Sequence, residues 1–217
     1  MKSVPHVLVG AGGHGRVLLG MLKRAAVEVI GIVDARQDLK GCTIDDIPVI
    51  GPDSEIENLD RSTVLVNGIG STGNMQRRQA VFDAASARGF TFATVLHPSA
   101  FTEANAILES GVQIFAGAIV QSGCVIGANS ILNTGAIIDH DSRIGRHCHV
   151  APGVVLSGGV CVGDGTHLGA GSTVIQGIRI GANCVIGAGS VVIDDVPQGA
   201  SVVGIPAKAI NRKPTAR

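Results

Sequence analysis

Between Leu108 and Val196 the chain repeats itself every six residues, and this period constrains the fold more than any other feature. Written in sixes it reads LESGVQ, IFAGAI, VQSGCV, IGANSI, LNTGAI, IDHDSR, IGRHCH, VAPGVV, LSGGVC, VGDGTH, LGAGST, VIQGIR, IGANCV, IGAGSV and then VIDDV. Each of the fifteen opening positions, from Leu108 through Ile138 to Val192, is Leu, Ile or Val, with no insertion or slip. A short fixed period of this kind marks a solenoid.

Each place within the six has a physical reading. The opening aliphatic residues must point inward, because so long a row in strict register could not be left in water. The fifth place is mostly small or branched (Ala118, Cys124, Ser130, Ala136, Ser142, Cys148, Thr166, Ser172), which suits a second, narrower inward site. The fourth holds Gly at 111, 117, 123, 135, 153, 159, 165, 171, 177 and 189, Asn at 129 and 183, Asp at 141 and 195, and His147. These residue types best tolerate positive φ, and Pro152-Gly153 fits the centre of a type II turn. Each six is therefore a short strand and a tight corner, and the chain is expected to wind as a parallel β-helix. A helical reading fails on the period, and glycine this dense would cost about 1 kcal/mol per residue in an α-helix.

Composition sets the remaining bounds. A chain of 217 residues suits two modest domains. Lys and Arg balance Asp and Glu at 17 each, so nothing favours a nucleic acid or an anionic membrane as partner. No basic leader with an apolar segment opens the chain, and the repeats are broken too often to span a bilayer, so a cytoplasmic protein is expected. The five cysteines are an odd count; Cys124, Cys148 and Cys184 fall on the small inward place and read as buried free thiols. No CxxC or HxxxH spacing appears, so no metal is expected.

The first part of the chain alternates strands and helices. The run His6 to Val9 ends in Gly10-Ala11-Gly12-Gly13-His14-Gly15, an apolar helical pattern follows from Val17 to Leu22, and a second buried run ends in Asp34. Strand, GxGxxG turn, helix and a later acid form a nucleotide-binding pattern: the glycines let backbone N–H groups approach a phosphate at a helix N-terminus, and the acid can hold a ribose hydroxyl. The alternative is a βα turn whose glycines serve packing alone, with His14 a solvated loop residue. Thr63–Asn67 reads as a third strand with Gly68 at its carboxyl end, Asn74–Arg88 as an amphipathic helix with Gly89 as its cap, and Thr91–Leu96 as a fourth strand. The result is a small Rossmann-like parallel α/β sheet, expected over residues 1–98, whose ligand lies at the carboxyl ends of its strands. That is short for a dinucleotide, so a mononucleotide-sized ligand is expected. His97-Pro98 closes the domain, since the residue before Pro is driven to extended geometry.

One residue is out of place in the repeat. Its third place is mainly Ser, Ala or Gly, yet Ile138-Asp139-His140-Asp141 puts His140 there between two carboxylates. Corner side chains face away from the interior, so His140 is either a surface residue or a working group at an edge. An imidazole beside a carboxylate has the makings of a general base, the acid fixing the tautomer and stabilising the cation. Asp141 has a second explanation, because it also fills the positive-φ place. His149 and His167, on the sixth place one coil apart, read as partner-binding and surface residues respectively.

The hexad pattern resembles the hexapeptide-repeat acyltransferases, which implies a left-handed β-helix with three sixes per coil, expected over residues 99–198. With three sixes per coil, Ile126, Ile144, Val162 and Ile180 would form one column. GAGGHG in the first domain, ILNTGAIIDHD and HVAPGVVLSGGV in the second, and the closing GIPAK resemble in particular the nucleotide-sugar 4-amino N-acetyltransferases and the related sialic acid O-acetyltransferase-type proteins, over nearly the whole chain. GCTIDDIPVIG resembles that family's linker back into the first domain. The resemblance implies that His140 is the general base and that Asp141 orients it. Relatives carry Glu at Asp141, and the shorter side chain leaves the hydrogen bond to His140 open. It further implies contacts with acetyl-coenzyme A by Asn133, His149, Gly158 (through its N–H, toward the thioester oxygen), Ala170, Pro206 and Lys208, the last two in a capping tail over residues 199–217 that ends in the basic run Asn211-Arg212-Lys213. Gly12, Gly13, His14, Asp34, Arg36 and Gly68 would hold a nucleotide diphosphate amino sugar. No acyl-enzyme is expected, because neither Cys148 nor Cys161 has a neighbouring activating group. A homotrimer is expected, with outward apolar residues Val125, Ile131, Ile137, Val155 and Val185 buried between subunits. Two other functions fit the same residues: O-acetylation of a sugar such as sialic acid, and a non-catalytic trimeric scaffold.

Overall fold

The computed structural model describes residues 4–71 and 75–210. Its contacts divide the chain into two compact units, one running to Val95 and one starting at Leu96.

In the first unit, strands β1 (His6–Val9), β2 (Val29–Val33), β3 (Thr43–Ile44), β4 (Ile47–Gly51), β5 (Val64–Asn67) and β6 (Thr91–Phe92) form one sheet ordered β3-β4-β2-β1-β5-β6. All neighbours are parallel except β3 and β4. Val7, Leu8, Ile32, Val33, Leu65 and Val66 are fully buried, as strands covered on both faces require. Helix α1 (Gly13–Arg24) buries Leu18, Leu19, Met21 and Leu22, and Lys23 and Arg24 in its last turn suit the negative end of the helix dipole. It begins a full turn before the apolar pattern at Val17, because Gly12 in extended geometry serves as its N-cap. Helix α2 (Met75–Ala87) follows β5 and buries Arg78, Phe82 and Ala85; Asn74, the expected first residue, lies outside the described residues.

Two expectations for this part are corrected. The segment from Gly41 to Gly51 is not a plain linker but the β3–β4 hairpin, turned by Asp45 and Asp46 at φ 49° and 68°. Paired positive φ values are what a two-residue hairpin turn demands, and Asp tolerates them better than most residues. The expected single strand Thr91–Leu96 is two short strands, Thr91–Phe92 and Val95–Leu96, assigned to different sheets.

The second unit is a parallel β-helix whose strands, all but one of two residues, form sheets of eight, six and five strands. Register runs in steps of eighteen: Ile126 pairs with Ile144, Ile144 with Val162, and Val162 with Ile180. The expected column exists. Opening residues from Ile114 to Val192 are all 4% exposed or less, while Leu108, on the end strand of its sheet, is half-buried. The fifth place is inward as well, and most of its polar atoms are satisfied from within, the buried Ser172 hydroxyl being without a partner among the described residues. Ser130, Thr166, Cys148 and Cys184 donate to the carbonyls of Gly145, Gly181, Gly163 and Pro197 at 2.8, 2.8, 3.2 and 3.1 Å. Buried hydroxyls and thiols are tolerated on such terms. All five cysteines are free thiols.

The fourth place has positive φ at every expected glycine and at Asn129, Asp141, His147 and Asn183, but not at Asp195. There the period shortens: four residues after Val192, Val196 bridges Ile180 in parallel, and the Asp195 carboxylate accepts the Arg179 N–H at 2.7 Å. A further coil then follows, with Gly199 at its corner (φ 75°) and Ser201–Val203 pairing with Val185–Ile186, so the helix runs past residue 198. Lys208–Ala209 returns antiparallel on that last strand, and the Asn211-Arg212-Lys213 tail lies outside the described residues. One apolar residue was misjudged. Ile131 is fully buried within the single chain and needs no partner to cover it; Val125, Ile137, Val155 and Val185 are half-buried.

Candidate active site

His140 stands where the chain turns from the Ile137–Ile138 strand of the six-stranded sheet to the Arg143–Ile144 strand of the five-stranded one. The corner turns through Asp141 at φ 59°. Nδ1 of the imidazole lies 2.9 Å from Asp141 Oδ2, and the His140 N–H donates to Asp139 Oδ1 at 2.8 Å. Both side chains of the pair are well exposed, at 62% and 75%. The Asp141 hydrogen bond, helped by the charge of Asp139, raises the pKa of His140 above the ordinary imidazole value. The shorter acid thus makes the bond that its length left open. With Nδ1–H held by the carboxylate, Nε2 carries the free lone pair.

Glycines on the adjacent coils make room for this pair. A Cβ on Gly158, one coil on, would come within 2.5 Å of His140 Nε2. A Cβ on Gly123, one coil back, would come within 2.6 Å of Asp141 Oδ1. Among the described residues no acceptor takes the Gly158 N–H.

A second cluster lies one edge away, where the chain turns from the eight-stranded to the six-stranded sheet. Asn133 Nδ2 is 3.3 Å from Nε2 of the buried His149, whose ring meets His167 edge-on with centroids 5.0 Å apart. Ala170 is exposed at the same edge. Pro206 is exposed in the returning segment, and the Lys208 ammonium there is 3.5 Å from Asp194. One chain therefore presents the expected residues as two groups on neighbouring edges. His147 is structural: it fills a positive-φ corner and its Nδ1 is bonded to Asn129.

In the first unit the glycines divide by role. A Cβ on Gly15 would collide with the Gly10 carbonyl, and one on Gly68 would lie within 3.0 Å of that carbonyl, Leu8 and Gly15. Gly68 is a buried, closely packed residue. Gly12 and Gly13, by contrast, are exposed and have open space beside them at the start of α1. His14 is half-buried next to Gly70.

Asp34 is bonded within the turn. Its two carboxylate oxygens accept from the Ala11 N–H (2.7 Å), the Arg36 N–H (2.9 Å), Arg36 Nε (2.9 Å) and Arg36 Nη2 (3.3 Å). Four donors thus engage its two oxygens. Burial alone would raise its pKa, but these bonds outweigh it and hold it at about 2. Asp34 ties the glycine turn to Arg36, whose side chain is 53% exposed. The sequence also hid Arg78: buried in α2, it donates to the carbonyls of Asn67 and Ile69 at 2.8 and 2.7 Å and so fixes the carboxyl end of β5. Burial lowers its pKa to about 9.

Two family models match the chain. The PglD N-terminal domain covers residues 7–85, and the bacterial transferase hexapeptide (six repeats) matches at 123–158, 141–176 and 159–194. PerB from Caulobacter crescentus, solved with CoA and GDP-perosamine, is 36% identical over 95% of this chain and 97% of its own, with a TM-score of 0.88. The acetyltransferase domain of PglB from Neisseria gonorrhoeae FA1090 is 31% identical over 96% of this chain and 100% of its own, with a TM-score of 0.89. The chain belongs to the nucleotide-sugar amino N-acetyltransferases of the hexapeptide-repeat superfamily.

Membership makes it an acyltransferase and its β-helix left-handed. No curated protein sequence matches it. WeeI from Acinetobacter baumannii AYE, at 22% identity and a TM-score of 0.83, shares the fold. Among the described residues no cluster of three or more His, Cys, Asp or Glu could hold a metal, and no helix is long and apolar enough to cross a membrane.

Proposed function

We propose that this chain transfers the acetyl group of acetyl-coenzyme A to the 4-amino group of a nucleotide-linked 4-amino-4,6-dideoxy sugar, with His140 as general base. The observation that carries this reading is the exposed His140–Asp141 pair, with Nε2 facing the clearance left by Gly158. The neutral amine attacks the thioester carbonyl and Nε2 takes its proton. The Gly158 N–H donates to the oxyanion, and the imidazolium then returns the proton to the departing thiolate. A positioned base contributes about 10²–10⁴ in rate and one oxyanion donor about 10²–10³.

Transfer is direct. Burial pushes the Cys148 thiol up to about 12 and raises that of Cys124, so neither supplies a thiolate nucleophile near neutral pH. The relatives support the substrate class, since perosamine N-acetyltransferase from Caulobacter crescentus was solved with CoA and GDP-perosamine and the PglB domain with acetyl coenzyme A. In this reading the residues up to 98 anchor the nucleotide, with its phosphates at the open N–H groups of Gly12 and Gly13 beside His14 and Arg36 as the outward cation. Asn133, His149, Ala170, Pro206 and Lys208 line the acetyl-donor cleft. Because His140 and Asn133 occupy different edges of one chain, a cleft holding both is completed by a second copy, as in a homotrimer. Five unpaired thiols suit the reducing cytoplasm.

The test is a panel of nucleotide amino sugars incubated with acetyl-coenzyme A while free thiol is followed. Wild type should turn over at least one of them, and His140→Ala should lose about 10²–10⁴ in kcat with circular dichroism and coenzyme binding unchanged. Near wild-type turnover by His140→Ala would falsify the base assignment.

A further inference from the structure

The outward column of the five-stranded sheet changes character along its length. It runs Ile107, Val125, Arg143, Cys161, Arg179, each pairing with the next in parallel register. The apolar half lies before the His140 coil and the cationic half begins on it, since Arg143 opens the strand just past the His140 corner. Over that second half the surface is hollowed into a groove of about 660 Å³, rimmed by Arg143, Cys161 and Arg179. Gly163 and Gly181 form its floor, with the backbone of the following coil packed within 2.5 Å of where a Cβ would stand.

The two guanidiniums are unspent. Arg36, Arg77 and Arg88 each pair with a carboxylate. Among the described residues neither the Arg143 nor the Arg179 side chain makes an ion pair or hydrogen bond. The one acid lining the groove, Asp195, is engaged by the Arg179 backbone N–H and not by its guanidinium. Two coils separate the arginines, or roughly 10 Å at the usual spacing of neighbouring strands. The small side chain of Cys161 keeps them from crowding. Such a pair fits a ligand with two separate anionic groups, and a guanidinium fork matches phosphate oxygens in particular.

We propose that Arg143 and Arg179 bind the phosphates of the acyl donor: the diphosphate and 3′-phosphate of acetyl-coenzyme A, whose thioester end lies at His140. The assignment rests on acetyl-coenzyme A being the donor, but not on the identity of the sugar. It makes these arginines specificity residues, which favour coenzyme A over a donor bearing the same thioester without phosphates.

Steady-state kinetics of the Arg143→Gln/Arg179→Gln double variant with acetyl-coenzyme A and with S-acetylpantetheine tests this. The expected result is a KM for acetyl-coenzyme A raised about tenfold or more, the loss being confined to that donor. Calorimetry with coenzyme A alone should show the same weakening, and wild-type binding should fall with added salt as exposed ion pairs do. An unchanged KM for acetyl-coenzyme A, or an equal rise for both donors, overturns the proposal. Wild type that binds coenzyme A tightly, through these arginines, yet acetylates no nucleotide amino sugar would sink the sugar assignment and leave this one standing.

Discussion

Asp141 reaches His140 from the adjacent position in the chain because its backbone is in the left-handed region, at φ 59°. The same geometry lays Oδ1 over the bare Cα of Gly123. One residue thus turns the corner and holds the imidazole. Its hydrogen bond is the main cause raising the pKa of His140; under the proposed mechanism the imidazole works only when unprotonated, so activity should fall as pH drops through that raised value. Asp141→Asn removes the cause. The acid limb of the kcat/KM profile should move to lower pH, while turnover at neutral pH falls about tenfold or more because the tautomer is no longer fixed. A profile that keeps its acid limb in place would show that Asp141 serves the turn alone.

At the scale of the element, each aliphatic residue of the repeat is held by the coils on either side. Leu132 is fully buried, so Leu132→Ala should cost about 2–5 kcal/mol. Leu108→Ala, at a half-buried end position, should cost clearly less, and denaturant melts of the two variants provide the comparison. Equal losses would mean that burial in the column does not set the stability. Much of this was legible beforehand. A period of six with aliphatic openings leaves one inward face, and Asn, Asp, His or Gly at the fourth place declares the corner. Where the pattern misled, a local contact had overridden it. Asp195 looks like a corner residue but accepts a backbone N–H while the chain shortens its step. Asp45-Asp46 looks like linker but turns a hairpin. Asp34 sits where a ribose-binding acid belongs, and nothing in the sequence announced its bonds to Arg36, two residues on. Arg143 and Arg179 were readable only as two cations at equivalent places thirty-six residues apart, a regularity that needs the coil length before it means anything.

At the scale of the molecule, the outward column of the six-stranded sheet reads Phe101, Ile119, Ile137, Val155, Thr173, Val191. This largely apolar face lies between the His140 edge and the Asn133 edge. In the proposed homotrimer, packing this face against copies of itself would bury the apolar column and bring one copy's His140 toward the next copy's Asn133 and His149. Light scattering should give about three times the chain mass of 22.0 kDa. Ile137→Arg should lower that mass and abolish transfer together. A wild-type monomer at micromolar concentration, fully active, would dismiss the shared cleft.

The eighteen-residue ladder has a consequence for where chemistry is safest. Each rung bonds only to the rungs directly above and below it, so thermal fraying works inward from the two ends. The rung that carries His140 has two others on its amino-terminal side and three on its carboxyl-terminal side in its own sheet. Both termini can loosen without jostling the imidazole, which is insulated in mid-ladder although it points into open water.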